Sequence, residues 1–260
     1  MKGVSTRKVD DLVRALAIDG ISRSEVSRIC KVPDEEVKTF LSRPIEDEHP
    51  YIWLDATFHK VRQAGRVTSV ATVVAIGVSA TGERHILGAS TGQSEDHQFW
   101  VSFLRQLIKR GLKGVRLVIS DAHEGFRQAA IAKILARATW QRYRVHLMRN
   151  LLSTVPKGAQ DTVAAVVRSI FSAPDHHSAM TQLKDVARML EPRFPQAAEL
   201  LEDAAEDVLA RMHFPREHRR RLHSTNPIER LHKEVKRRTR GRRDPPDLGL
   251  AHADGGDAAL

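Results

Sequence analysis

The segment from Val67 to Val78 reads Val-Thr-Ser-Val-Ala-Thr-Val-Val-Ala-Ile-Gly-Val, and nothing else in the chain restricts the fold so strongly. β-Branched side chains are stiff at their first torsion and suit a pleated surface, so a run this long predicts a strand buried at the centre of a sheet. A second strand pattern, Tyr51 to Phe58, precedes it. Thr81-Gly82 makes a turn into a third, Arg84 to Ala89. From Ser94 the spacing of Phe99, Trp100, Phe103, Leu104, Leu107 and Ile108 is helical and closes at Gly111. Val115 to Ser120 is a short buried strand, a helix is predicted over about 124–138, and Trp140 to Val145 reads as a fifth strand. The expected fold is therefore α/β, a mixed five-stranded sheet with flanking helices.

Residues 147–222 carry helical periodicity throughout, interrupted at Pro174, Pro192 and Pro195, and are expected to form an all-α insertion. A last helix is predicted from Asn226-Pro227, a good N-cap followed by a residue suited to the first helical position, and runs through Ile228, Leu231 and Val235 to about Arg240. At the other end, residues 1–42 read as short helices around the turn-like Asp19-Gly20-Ile21-Ser22, similar to a helix-turn-helix. Its second helix would carry Arg23, Arg28 and Lys31 toward a major groove, although a helix pair that only packs on the next domain reads the same way. Residues 43–50, with two prolines and three acids, read as a linker. The predicted organisation is thus 1–42 helical, 43–50 linker, 51–146 first part of the sheet core, 147–222 insertion, 223–240 last helix and 241–260 tail.

Charge narrows the partner. The net charge is +10, and between Arg211 and Arg243 there are 13 Lys or Arg against three acids, Glu217, Glu229 and Glu234. Clustered cations bind phosphates and release counterions, so a polyanion such as DNA is the expected partner. The single cysteine, Cys30, excludes an internal disulfide and a Cys-based zinc site within one chain. No apolar run reaches the ~18 residues of a membrane span, and no secretory signal follows the start, so a cytoplasmic location with no membrane partner is expected.

The candidate chemistry is acidic. Asp55 and Asp121 each end an apolar strand, where ligands bind in open α/β sheets. Two carboxylates on neighbouring strands repel unless a cation lies between them. Magnesium or manganese supplies that charge, and two such ions about 4 Å apart serve in-line phosphoryl displacement. Glu229 would be the third ligand, on a helix that presents Glu229, Lys233 and Lys236 on one face. Taken singly, each aspartate can be a turn or cap residue, and Glu229, three residues after Asn226, can complete a capping box.

Longer motifs surround these residues: Gly3-Val4-Ser5-Thr6-Arg7-Lys8-Val9, Trp53-Leu54-Asp55-Ala56-Thr57, Ser120-Asp121-Ala122-His123-Glu124-Gly125, His146-Leu147-Met148-Arg149-Asn150 and Ser224-Thr225-Asn226-Pro227-Ile228-Glu229-Arg230-Leu231. In this order they resemble the mutator-type insertion-sequence transposases, a bacterial branch of the DDE transposases. The resemblance implies an RNase H-like core whose Asp55, Asp121 and Glu229 hold two Mg2+ or Mn2+ ions. It implies strand cleavage by water, followed by attack of the freed 3′-hydroxyl on target DNA. The implied partners are the element ends and target DNA, bound by a homo-oligomer associated with the nucleoid, with no small-molecule cofactor. Arg23, Arg28, Lys233, Lys236, Arg237 and Arg238 are the candidate DNA contacts. His146 belongs to a family motif that pairs a Cys with a His three residues later; here the Cys position is Tyr143.

Both ends differ from the family pattern. The chain starts just before Gly3-Val4-Ser5-Thr6, which predicts that most of the N-terminal specificity region is missing. After Arg240 the family continues with something like Val-Val-Gly-Ile-Phe-Pro, whereas this chain reads Gly241-Arg242-Arg243-Asp244-Pro245-Pro246. Read one nucleotide later, codons for those six residues permit Val-Val-Gly-Ile-Leu-Pro. A frameshift near residue 240 is therefore expected, with 241–260 a disordered, out-of-frame tail and transposition weak or absent. Two other functions fit the same residues: a divalent-metal nuclease of this fold, and a non-catalytic DNA-binding remnant that interferes with intact transposase.

Overall fold

In the computed structural model, the described residues are 35–63, 66–92, 97–121 and 134–222. Five strands, β1 (Tyr51–Gln63), β2 (Arg66–Val78), β3 (Arg84–Gly92), β4 (Leu117–Ser120) and β5 (Thr139–Arg142), form one sheet in the order β3-β2-β1-β4-β5. β2 and β3 pair antiparallel; β1 with β4 and β4 with β5 pair parallel. The sheet is mixed, as the pattern of strands and helices predicts. β4 is buried at all four residues and β1 at Tyr51 to Leu54, which is why these segments read as unbroken apolar runs rather than as alternation.

The helices are α1 (His97–Lys109), α2 (Arg144–Ser153), α3 (Lys157–Ile170), α4 (His176–Leu190), α5 (Pro195–Asp203), α6 (Ala205–Leu209) and α7 (Arg216–Leu222), with a 3-10 turn at Ala210–His213. Residues 35–42 are also helical. Of the helix expected over about 124–138, residues 124–133 lie outside the described residues; the described end, 135–138, is bend and turn instead of helix, closed by Ala138 N–H donating to the Leu135 carbonyl at 2.8 Å.

Several boundaries differ from expectation: β1 runs on to Gln63 and β3 to Gly92, β4 starts only at Leu117, and β5 ends early. β5 stops at Arg142 and α2 begins at Arg144, so Val145 lies in the first turn of a helix, 47% exposed, and not in a strand. Tyr143 causes the switch: its backbone N–H donates to the Ser120 carbonyl at 2.9 Å, and at φ −61° and ψ 119° it is the extended residue from which α2 starts.

Among the described residues two compact units can be distinguished, those up to 48 and from 55 to 113 in one, and those from 49 to 54 and from 114 to 222 in the other. In the first, α1 buries Trp100, Phe103, Leu104 and Leu107 and packs on β3. A Cβ on Gly88 would stand 2.9 Å from the Leu107 side chain, so the helix approaches β3 through a glycine. Ile45 N–H donates to the Arg110 carbonyl at 2.7 Å, and Arg110 donates from Nε to the Arg43 carbonyl at 2.9 Å and from Nη1 to the Leu87 carbonyl at 2.7 Å.

In the second unit the helices share a core that includes Leu147, Leu151, Val167, Ile170, Leu183 and Leu201. Gln141 ties β5 to them: its Nε2 donates to the Val208 carbonyl at 2.9 Å and its Oε1 accepts from Arg211 N–H at 2.8 Å. Among the described residues no helix is long and apolar enough to cross a membrane.

Candidate active site

Parallel pairing of β1 and β4 sets Tyr51 opposite Leu117, Ile52 opposite Val118 and Trp53 opposite Ile119. Asp55 follows Trp53 by two residues and Asp121 follows Ile119 by two. Asp55 is partly buried, and its Oδ1 accepts the backbone N–H of Ala56 at 3.0 Å. Asp121 comes directly after β4, with its side chain 43% exposed. His146, from the first turn of α2, donates from Nδ1 to Asp121 Oδ2 at 2.6 Å.

The backbone before Asp121 is fixed from the side of β5. Trp140 donates from Nε1 to Ser120 Oγ at 2.8 Å, and that hydroxyl donates in turn to the Asp121 carbonyl at 2.9 Å. Tyr143 does more. It is 2% exposed, and its hydroxyl donates to the Leu54 carbonyl at 3.1 Å while its N–H holds the Ser120 carbonyl. Its ring lies 5.5 Å from that of His146. One residue, through its hydroxyl, its backbone N–H and its ring, thus contacts the residue before Asp55, the residue before Asp121 and the imidazole bound to Asp121. In the sequence Tyr143 registers only as a departure from a Cys position.

Two arginines near this layer are drawn in from the surface, Arg144 half-buried and Arg211 buried. Arg144 stacks its guanidinium 3.7 Å from the Phe171 ring centroid, and burial, assisted by the charge of Arg211, pushes its pKa down to about 10. Arg211, which opens the basic segment, is 5% exposed; burial, with Arg219 adding to it, lowers its pKa as well. Of the residues proposed from sequence, the structure describes Asp55, Asp121 and His146 and brings the last two into contact. Glu229, Lys233, Lys236, Arg237, Arg238, Arg23 and Arg28 lie outside the described residues. Sequence reasoning missed a further group, His176, Glu206 and His213, whose members converge only in the fold.

The donor chemistry suits a hard divalent cation. Carboxylate oxygens are the ligands Mg2+ and Mn2+ take, and a carboxylate held by an imidazole N–H is oriented in the way metal ligands commonly are.

The sequence matches the family described as "Transposase, Mutator family" over residues 1–249. It is 44% identical over 239 residues to the transposase for insertion sequence element IS1081 of Mycobacterium tuberculosis, covering 91% of this chain and 57% of that protein. Identity is 41% over 243 residues to the transposase for IS406 of Burkholderia multivorans, with 92% and 62% covered. It is 36% over 241 residues to the transposase for IS256 in transposon Tn4001 of Staphylococcus aureus, with 92% and 61% covered. The chain therefore spans about three fifths of the length of these relatives. A chain of a simian T-cell lymphotropic virus intasome structure aligns with a TM-score of 0.26 and 17% identity, over 54% of this chain and 49% of that one, too loosely to bear on the fold.

Proposed function

This chain belongs to the Mutator family of transposases, and from that membership we propose that it carries the catalytic centre for metal-dependent cleavage and strand transfer of an insertion sequence. Asp55, Asp121 and Glu229 would hold two Mg2+ or Mn2+ ions in an RNase H-like core. The observation that supports this most is the parallel register of Trp53 with Ile119, because each aspartate follows its paired strand residue by the same two positions. Bound there, divalent ions supply a nucleophile at neutral pH and neutralise the charge that develops on the scissile phosphate.

The protein's own groups hold and orient. His146 fixes one oxygen of Asp121, and Tyr143 fixes the backbone from which both aspartates project. On the helix predicted from Asn226, Lys233 and Lys236 share a face with Glu229 and would bind DNA phosphates beside it, joined by Arg237 and Arg238. Arg23 and Arg28 would contact DNA from the N-terminal helices. Element ends and target DNA are the proposed partners, brought together by a homo-oligomer.

A strand-transfer assay tests the reading. The full chain is mixed with a labelled oligonucleotide bearing a free 3′-hydroxyl and a supercoiled plasmid, with Mn2+ or with chelator. Covalent joining of label to plasmid that requires the metal is the expected result. Metal-dependent nicking without joining would reassign the chain as a nuclease, and DNA binding with neither reaction would leave only a binding role.

A further inference from the structure

Away from the aspartates, three side chains of the helical unit converge: His176 at the first residue of α4, Glu206 in α6 and His213 at the end of the 3-10 turn. Their ligand-type atoms all lie within 4.8 Å of one another. The imidazoles of His176 and His213 stack with centroids 4.1 Å apart and planes inclined at 31°. Nε2 of His176 stands 3.6 Å from Glu206 Oε2, is screened from solvent and makes no hydrogen bond. A buried ring nitrogen left without a partner costs free energy, and here it faces two other groups of metal-ligating type.

The segments that carry the histidines are held in place. Asp175 Oδ1 accepts the backbone N–H of Ser178 at 2.8 Å and so fixes the first turn of α4. Arg219 donates from Nη1 to the Pro174 carbonyl and from Nε to the Phe214 carbonyl, both at 2.8 Å. Pro174 precedes His176 by two residues and Phe214 follows His213 by one. One guanidinium therefore clamps both histidine-bearing segments, and its N–H groups are directed at carbonyl oxygens.

We propose that His176, Glu206 and His213 form a zinc-binding site that ties α4, α6 and the 3-10 turn together. Two imidazoles and one carboxylate, with water in the fourth position, is a set zinc accepts in tetrahedral geometry. Magnesium, which demands octahedral oxygen ligands, is disfavoured by the two nitrogens. Closing the group to the mutual spacing of about 3.3 Å that tetrahedral zinc implies needs only side-chain movement, and both Glu206 and His213 are exposed and able to make it. The ion adds a cross-link among three segments otherwise joined by packing and by the Arg219 hydrogen bonds, so metal binding contributes to the stability of the helical unit.

The test uses the full chain stripped with chelator. Zn2+ at a slight molar excess raises the melting temperature, Mg2+ at the same concentration does not, and Co2+ gives the intense visible absorption of a tetrahedral site. His213→Gln and Glu206→Gln, both at exposed positions, melt like the parent in chelator. Each weakens Zn2+ affinity about tenfold or more, since even outer-sphere partners of a metal are worth that much. Absence of a Zn2+-dependent shift in the parent, or unchanged affinity in either variant, overturns the proposal. Asp55→Ala retains the Zn2+ response.

Discussion

His146 and Asp121 are joined by a 2.6 Å hydrogen bond from Nδ1 to Oδ2, across the junction where β4 ends and α2 begins. The imidazole is 31% exposed and the carboxylate 43%, so the pair lies at the accessible edge of the sheet and is not sealed within the core. An imidazole in this position fixes which way one carboxylate oxygen points while leaving the group open to an incoming ion. Under the proposed function it is a positioning residue.

Replacing His146 with Ala is expected to raise the Mn2+ concentration needed for half-maximal DNA cleavage by about 10- to 100-fold, the usual cost of losing an outer-sphere partner. The maximal rate at saturating Mn2+ should fall much less, and His146→Asn, which keeps a side-chain N–H donor, should recover part of the affinity. A merely structural role would lower the melting temperature and leave the metal requirement unchanged.

Tyr143→Phe isolates the hydroxyl that holds the Leu54 carbonyl. Leaving that acceptor unpaired next to the buried strand costs about 1–3 kcal/mol, a drop of several degrees in melting temperature measured by calorimetry. The DNA-cleavage rate should fall by more than the loss of folded protein explains, because the carbonyl belongs to the residue before Asp55.

Acid stability carries a signature of Asp175. The Ser178 backbone N–H that it accepts holds its pKa below the usual 3.8. A depressed carboxylate contributes stability that is fully present above the unfolded value and is lost as pH falls through the lower folded value. Asp175→Asn keeps an acceptor at the helix start without the charge, so its melting temperature should depend less steeply on pH below about 4. Parallel pH profiles for the two proteins would contradict this.

Much of the sheet was legible because its signals are local. The run Val67 to Val78 is β2 almost to the residue, and Val115 to Ser120 reads as a buried strand because the four side chains of Leu117 to Ser120 are enclosed. Val145 misled for the opposite reason: a β-branched residue next to a strand pattern looks like more strand, but the chain turns into a helix at Tyr143 and leaves Val145 facing solvent. The hold of Tyr143 on Leu54 spans 89 positions and that of Gln141 on Val208 spans 67, so no periodicity or capping rule encodes either. His176, Glu206 and His213 are separated in the same way and share no motif. Arg211 shows the limit of counting charges, since a residue at the head of a basic run is buried against the helical core.

Under the proposed function, Asp55 and Asp121 together hold the divalent ions for phosphodiester chemistry. The most direct test of this is the initial rate of Mg2+-dependent nicking of supercoiled DNA by the parent chain, Asp55→Asn and Asp121→Asn, each verified to melt like the parent. The expected result is loss of more than about 100-fold in both variants, beyond the cost of an outer-sphere partner. A parent that nicks DNA in Mg2+ while either variant stays within a few-fold of it would contradict the claim.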